Sequence, residues 1–509
     1  MKKIFFLLGL MLSLSFSVLY AAKAYPGLIK VRQADGTLLT VQIHGDEHSN
    51  WFTTSDGAFL KQEGKNYYIA QIDRTGNLKA TTFLAHPKDL RTPQEARAIA
   101  QQNQALFAQS KVHTRSIGTE SAIPYFPHVG AGEQAPKALV ILAEFTDSTF
   151  KSGLKAKEVF SHYLTAKSGD AKPEGYAYYT GSTQNERFNN HGSVAQYFHD
   201  MSKGNYEPTF DVVGPYSLPH PSVYYGKGDN DNINSLLKDA CDAAYNNGVD
   251  FSQYDADGDG YVDLVYVIYA GYSASMSGNA DDIWPQSGTV NLSTQYNGKA
   301  ISRYGIHSEL NGSWNDTQEA GGPLISGIGL FCHEFSHTLG LPDLYPTYSS
   351  AQIDNQGMEY WDLMDGGEYT DNGYTPTPYT PWEMENMGWM DYTELEEKEQ
   401  QITIEPFGID RKAYKIKADY NEYILLQNIQ QTGWWQYLPA HGMLVYRIDY
   451  PYSTVNTGDF PNNTAGKPSI TIVPADGILK SSYQVKSDDN PNGKYTSAEY
   501  FDDMTTDTY

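Results

Sequence analysis

Cysteine is nearly missing from this chain. Two residues, Cys241 and Cys332, serve 509 positions, so no disulfide framework holds the fold. Cys332 falls in an apolar helical run, where a small buried thiol is a simpler reading than a bridge. Positive charge is also scarce. Lys and Arg number 36 against 61 Asp and Glu, for a formal net charge of -25. No basic stripe can neutralise phosphates, which argues against a nucleic-acid partner. Beyond residue 24 no apolar run is long enough to cross a bilayer, so no transmembrane segment is expected in the mature form. What is present is enough apolar residue, 40%, for packed cores. The length exceeds one ordinary domain, and the acidic balance fits an extracellular protein that binds divalent cations.

The first residues read as an export signal, residues 1–24. Lys2 and Lys3 precede an apolar run from Ile4 to Tyr20, and Ala22-Lys23-Ala24 offers an A-x-A cleavage site. Secretion follows from that reading. Residues 25–115 form a candidate β-rich module. Strands flank Asp35-Gly36, others lie near Phe59 and over Tyr67 to Ile72, and a polar helix spans Pro93 to Ser110. Residues 116–136 read as a linker, with Arg115-Ser116 a candidate processing site. The buried-strand run Lys137 to Phe145 opens a larger domain, 137–390. Helical patterns at 157–166, 193–201 and 232–246 alternate there with a second buried strand at 262–270. The expected class is α+β, with a mixed sheet and an active-site helix. Residues 391–509 read as a β-rich module with short strands at 402–404, 413–416, 423–426 and 443–448.

Residues 331–345 carry HExxHxxGxxD. Ile325, Ile328, Phe331, Phe335 and Leu339 recur at helical spacing. On that helix His333 and His337 are four apart and project from one face, the spacing that binds one Zn²⁺. Glu334 is turned about 100° from His333, from ~3.6 residues per turn. It stands beside the metal as a general base without being a ligand. Gly340 ends the helix through a left-handed conformation and turns Asp343 back as a third ligand. Glu368 and Glu385 are competing carboxylates. Three protein ligands leave an open position, the catalytic arrangement. The implied reaction is hydrolysis of protein or peptide substrates.

Two further segments stand out. Met364 lies in the turn-rich Trp361-Asp362-Leu363-Met364-Asp365-Gly366-Gly367 and resembles the Met-turn of metzincin peptidases, whose methionine floors the metal. Asp255, Asp257, Asp259 and Asp263 form DxDxDGxxD. Alternate aspartates in a tight loop supply the hard oxygens that Ca²⁺ prefers. Tyr266 stands where an EF-hand needs glutamate, so the loop reads as a structural Ca²⁺ site of another kind.

These motifs resemble the immune inhibitor A-like secreted metallopeptidases. Lys137 to Asp147, Tyr254 to Gly271, Asp281 to Ser287, Trp361 to Gly367, Glu385 to Trp389, Glu422 to Gln427 and Leu438 to Asp449 share that family's pattern. Gln33 to Thr37 and His44 to Glu47 resemble its propeptide. The resemblance implies a metzincin-like domain and a latent precursor activated by another protease. In the wider metzincin consensus a third histidine is commoner where Asp343 stands. The propeptide has no cysteine, so latency must come from a carboxylate, a histidine or steric cover. His44, Asp46 and His48 are candidates. Tyr369, Tyr374 and Tyr379 are candidates to stabilise an oxyanion. The competing reading is a Ca²⁺-stabilised adhesin or glycan-binding protein on a peptidase scaffold, prompted by 13% aromatic residues and the β-rich C-terminal part.

Overall fold

Alternating apolar residues around Asp-Gly turns build the N-terminal module, just after a short strand, β1 (Leu19–Ala21), that belongs to another sheet. The computed structural model describes residues 19–46, 49–111, 137–180, 189–226, 232–347, 349–352, 355, 357–418, 422–450 and 461–475, with two short strands at 485–486 and 495–496. The expected linker, Arg115, His48 and most of the export signal lie outside the described residues.

The module is an antiparallel meander of β2 (Leu28–Arg32), β3 (Leu38–Gly45), β4 (Asn50–Thr54), β5 (Phe59–Glu63), β6 (Asn66–Ile72) and β7 (Leu78–Leu84). Inward residues of β3 are buried and the intervening ones half-exposed, as a sheet with one covered face requires. Ile29, Val41 and Tyr67 pack against Ala274 and Trp284 of the larger domain. The single helix expected over 93–110 is two helices, Pro93–Ala100 and Gln104–Lys111. A capping box of Thr92 and Glu95 starts the first.

The larger domain holds β8 (Lys137–Glu144), β9 (Thr209–Ser217), β10 (Tyr261–Val262), β11 (Val265–Tyr272), β12 (Gln286–Thr289), β13 (Gln295–Tyr296), β14 (Lys299–Ile301) and β15 (Arg303–Leu310). The main sheet runs β1-β12-β15-β11-β8-β9. β9, β8, β11 and β15 are parallel; β12 and β1 are antiparallel. Six consecutive buried side chains in β8 reflect a strand covered on both faces. On one face Val140, Leu142, Tyr266 and Ile268 pack with helices Ala156–Thr165, Val194–Ser202 and Ile328–Thr338. On the other, Leu139, Ile141 and Val267 pack with helix Ile233–Asn246. Cys241 and Cys332 are buried and free.

The C-terminal sheet orders β16 (Thr393–Glu394), β17 (Tyr414–Lys417), β18 (Glu422–Ile429), β19 (Gly442–Asp449) and β20 (Ile470–Ile472). The strand expected at 402–404 does not form. Its alternation of Ile402 and Ile404 finds no ladder partner, and the Ile404 carbonyl accepts from the Asn428 side chain instead. Leu425, Leu444 and Ile448 share one apolar core with Trp382 and Met384. No helix among the described residues is long and apolar enough to cross a membrane.

Candidate metal centre and cleft

The active-site helix is Ile328–Thr338, buried at every residue. It starts after Gly327, later than the apolar periodicity from Ile325 suggests, and the Asn190 side chain accepts its first amide, that of Ile328. Its end is made by Gly340 at φ +92°. There the Gly340 amide bonds back to the His337 carbonyl and the Leu341 amide to that of Ser336. This reversal brings Asp343 alongside the helix.

Three ligand atoms converge. His333 Nε2 and His337 Nε2 are 3.2 Å apart, and each lies 3.4 Å from Asp343 Oδ1. A tetrahedral ion with bonds of about 2.0–2.1 Å sets its ligands ~3.3 Å apart, so the triangle fits zinc. The protonation pattern also fits. His333 Nδ1 donates to the Leu363 carbonyl at 3.0 Å, and His337 Nδ1 to that of Leu341 at 2.8 Å. Both Nε2 lone pairs therefore face inward. Asp343 Oδ1 is buried with no hydrogen-bond partner, an arrangement that is costly without a cation.

Of the competing carboxylates, Glu368 approaches the other ring nitrogen, His333 Nδ1, at 3.9 Å. Burial pushes its carboxyl up to about 8. It backs the ligand ring and is not a member of the triangle. Glu385 is half-buried on helix Pro381–Asn386 and does not join it. Met364 is fully buried; its carbonyl accepts from Leu344, and its amide bonds Asp362. The same turn thus presents Leu363 to His333 and ties down the chain after Asp343. Of the three tyrosines, Tyr374 bonds the Ile325 carbonyl and Tyr379 bonds Ser336. Only Tyr369 faces the chain in the cleft.

That chain is the N-terminal leader, which the sequence did not place here. β1 adds antiparallel to the edge strand β12, pairing Leu19 with Gly288 and Ala21 with Gln286. The Ala22 amide donates to Glu334 Oε1 at 2.9 Å. Trp284 Nε1 donates to the Ala22 carbonyl, and Tyr369 Oη to that of Lys23. The Tyr25 amide bonds Ser275. An extended peptide held by a sheet edge is β-strand addition, here directly over Glu334.

A profile of the immune inhibitor A peptidase M6 catalytic domain matches residues 126–390. The chain belongs to this family. Immune inhibitor A of Bacillus thuringiensis subsp. alesti is 28% identical over 286 residues, covering 48% of this chain and 38% of that protein. The pre-pro-metalloprotease PrtV of Vibrio cholerae serotype O1 is 24% identical over 302 residues, covering 53% and 32%. The chain thus spans under two fifths of these relatives' length. The M6 match includes the whole metal triangle, the edge strand β12 and the Met364 turn.

The aspartate loop also lies inside the M6 match. Asp255, Asp257 and Asp263 place carboxylate oxygens within 4.8 Å of one another. Asp259 is not among them; its carboxylate caps the Tyr261 amide. Lys299 bonds Asp255. Burial, with the neighbouring Asp charges, pushes the Asp263 carboxyl up to about 6.

Latency candidates His44 and Asp46 are engaged within the N-terminal module. His44 stacks on Trp51 and bonds Thr53, and Asp46 caps Ser49.

Proposed function

We propose that the chain is a secreted, zinc-dependent endopeptidase of metzincin-like design, made as a latent precursor. The observation that carries the reading is the inward-facing triangle of His333, His337 and Asp343 with Glu334 beside it on the same helix. His333, His337 and Asp343 would hold the zinc, which would supply Lewis acidity toward water and the scissile carbonyl. Glu334 takes the proton of the attacking water and delivers it to the leaving amine. Its carboxylate already contacts an amide nitrogen, that of Ala22, in the position such an amine would occupy. A substrate backbone would add to β12 as β1 does, and Trp284 and Tyr369 would hold its carbonyls as they hold those of Ala22 and Lys23.

Latency of the chain that retains its first 24 residues is supported by Ala22 to Tyr25, which fill the cleft that a substrate needs; cleavage at the expected A-x-A site would take Ala22 and Lys23 away. The name of the Vibrio relative, a pre-pro-metalloprotease, agrees. An activating protease would cut between the N-terminal module and the larger domain. The Asp255 loop is proposed as a Ca²⁺ site that stiffens the turn into β11. Asp255 Oδ1, buried and lacking a hydrogen-bond partner, supports it, with Lys299 as the competing cation. Calorimetric titration of Ca²⁺ into wild type and Asp257→Asn tests this; equal heats would exclude it.

The test of the main reading is casein cleavage by the processed chain. Glu334→Gln should lower the rate about 100- to 10,000-fold, the range for a general base, with bound zinc unchanged. Full activity in the variant would exclude the mechanism.

A further inference from the structure

Lys23 is an unusual lysine. Its side chain is 5% exposed, and buried lysines persist only where they are paired. Its ammonium lies 3.0 Å from Asp365 Oδ1 and 3.4 Å from Glu359 Oε2, with the Tyr345 ring beneath it. Both carboxylates belong to the larger domain, and that of Asp365 is fixed by the domain's own backbone. Asp365 Oδ2 accepts the amides of Met358 and Glu359, and Oδ1 accepts that of Gly366. Glu359 sits at φ +51°, a left-handed conformation that costs a non-glycine residue energy and tends to mark ligand clamps. The Asp365 side of the pocket is therefore built independently of the leader that fills it.

The register of the leader says which part of a substrate enters the pocket. Glu334 contacts the Ala22 amide, so the Ala21–Ala22 bond stands at the scissile position. Ala22 is then the first residue after that bond and Lys23 the second. Departure of the leader removes the cation from two buried carboxylates, which is unfavourable unless another takes its place. A substrate side chain on the same backbone path is the group positioned to do so.

We propose that Asp365 and Glu359 form a specificity pocket that selects lysine or arginine at the second residue after the scissile bond. The leader's Lys23 mimics that substrate side chain. The proposal rests on the peptidase reading above.

The test uses the full chain, nicked in residues 112–136 with a glutamate-specific serine protease that is then inhibited. A library of peptides from a denatured proteome is digested, and cleavage positions are read by mass spectrometry. Lysine and arginine should be enriched about tenfold or more at the second position after the cut, as expected for a buried charge pair. Glu359→Gln, which keeps the shape of the pocket, should reduce that enrichment. Cleavage with no basic preference there would overturn the pocket and leave the peptidase standing. Enrichment unchanged in Glu359→Gln would overturn the assignment of this pocket. A digest with no cleavage at all would overturn the peptidase reading and the pocket with it.

Discussion

At the scale of the residue, the convergence of His333, His337 and Asp343 was legible because it depends on local geometry. Four-residue spacing on a helix puts His333 and His337 together, and a glycine turn returns Asp343. The structure adds what spacing cannot give, namely the carbonyls of Leu363 and Leu341 that set the tautomers. It also separates Asp343 from Glu368, which sequence offered as alternatives. Outer-shell partners of a metal are commonly worth about 10- to 100-fold in affinity. Asp343→Ala, which removes a proposed direct ligand, should therefore weaken zinc binding by more than about 100-fold. Competition with a chelating dye measures it, while Glu368→Gln should have a smaller effect. The reverse order would make Glu368 the ligand.

At the scale of the element, the central strands were readable as continuous apolar runs, and the helices as 3.6-residue periodicities. Elements whose formation depends on a distant partner were not. The 402–404 alternation formed no strand, and β20 escaped notice because Ile470–Ile472 is short and acquires its meaning only beside β19. A buried carboxylate in β15 gives an element-scale prediction. Glu309 accepts from Lys151, Tyr179 and Gly271, and so joins β15 to β11 and to the loop after β8. Burial raises its carboxyl from 4.5 to about 7. The fold thus favours the protonated form, and this contribution is lost as pH rises from the unfolded value through 7. Glu309→Gln removes the dependence. Its melting temperature, relative to wild type, should climb between pH 5 and 8. A constant difference would show that Glu309 does not titrate in this window.

At the scale of the whole molecule, residues 19–25 lie in the cleft of the larger domain. Ala22 and Glu334 are 312 positions apart, and nothing in local pattern could announce that contact. A propeptide without cysteine leaves a carboxylate, a histidine or steric cover as the block, with His44, Asp46 and His48 as candidate side chains, of which His48 lies outside the described residues. In the proposed mechanism the steric cover comes from residues 19–25, with Lys23 as their anchor. Lys23→Met leaves the carboxylates of Asp365 and Glu359 without their cation. The basal rate on casein of the chain retaining its first 24 residues should rise toward that of the nicked chain. A leader seated ~99% of the time suppresses activity about 100-fold, which bounds the gain. An unchanged basal rate would show that the lysine does not hold the leader.

The proposed peptidase chemistry stands or falls on the metal. Elemental analysis of the purified chain, beside a His333→Ala and His337→Ala double variant, tests it most directly, with anomalous diffraction at the zinc edge to locate the ion. The account predicts one zinc per chain, placed between His333, His337 and Asp343, and none at that position in the variant. Zinc retained by the double variant at full stoichiometry, or a wild-type site that takes no zinc, would contradict it.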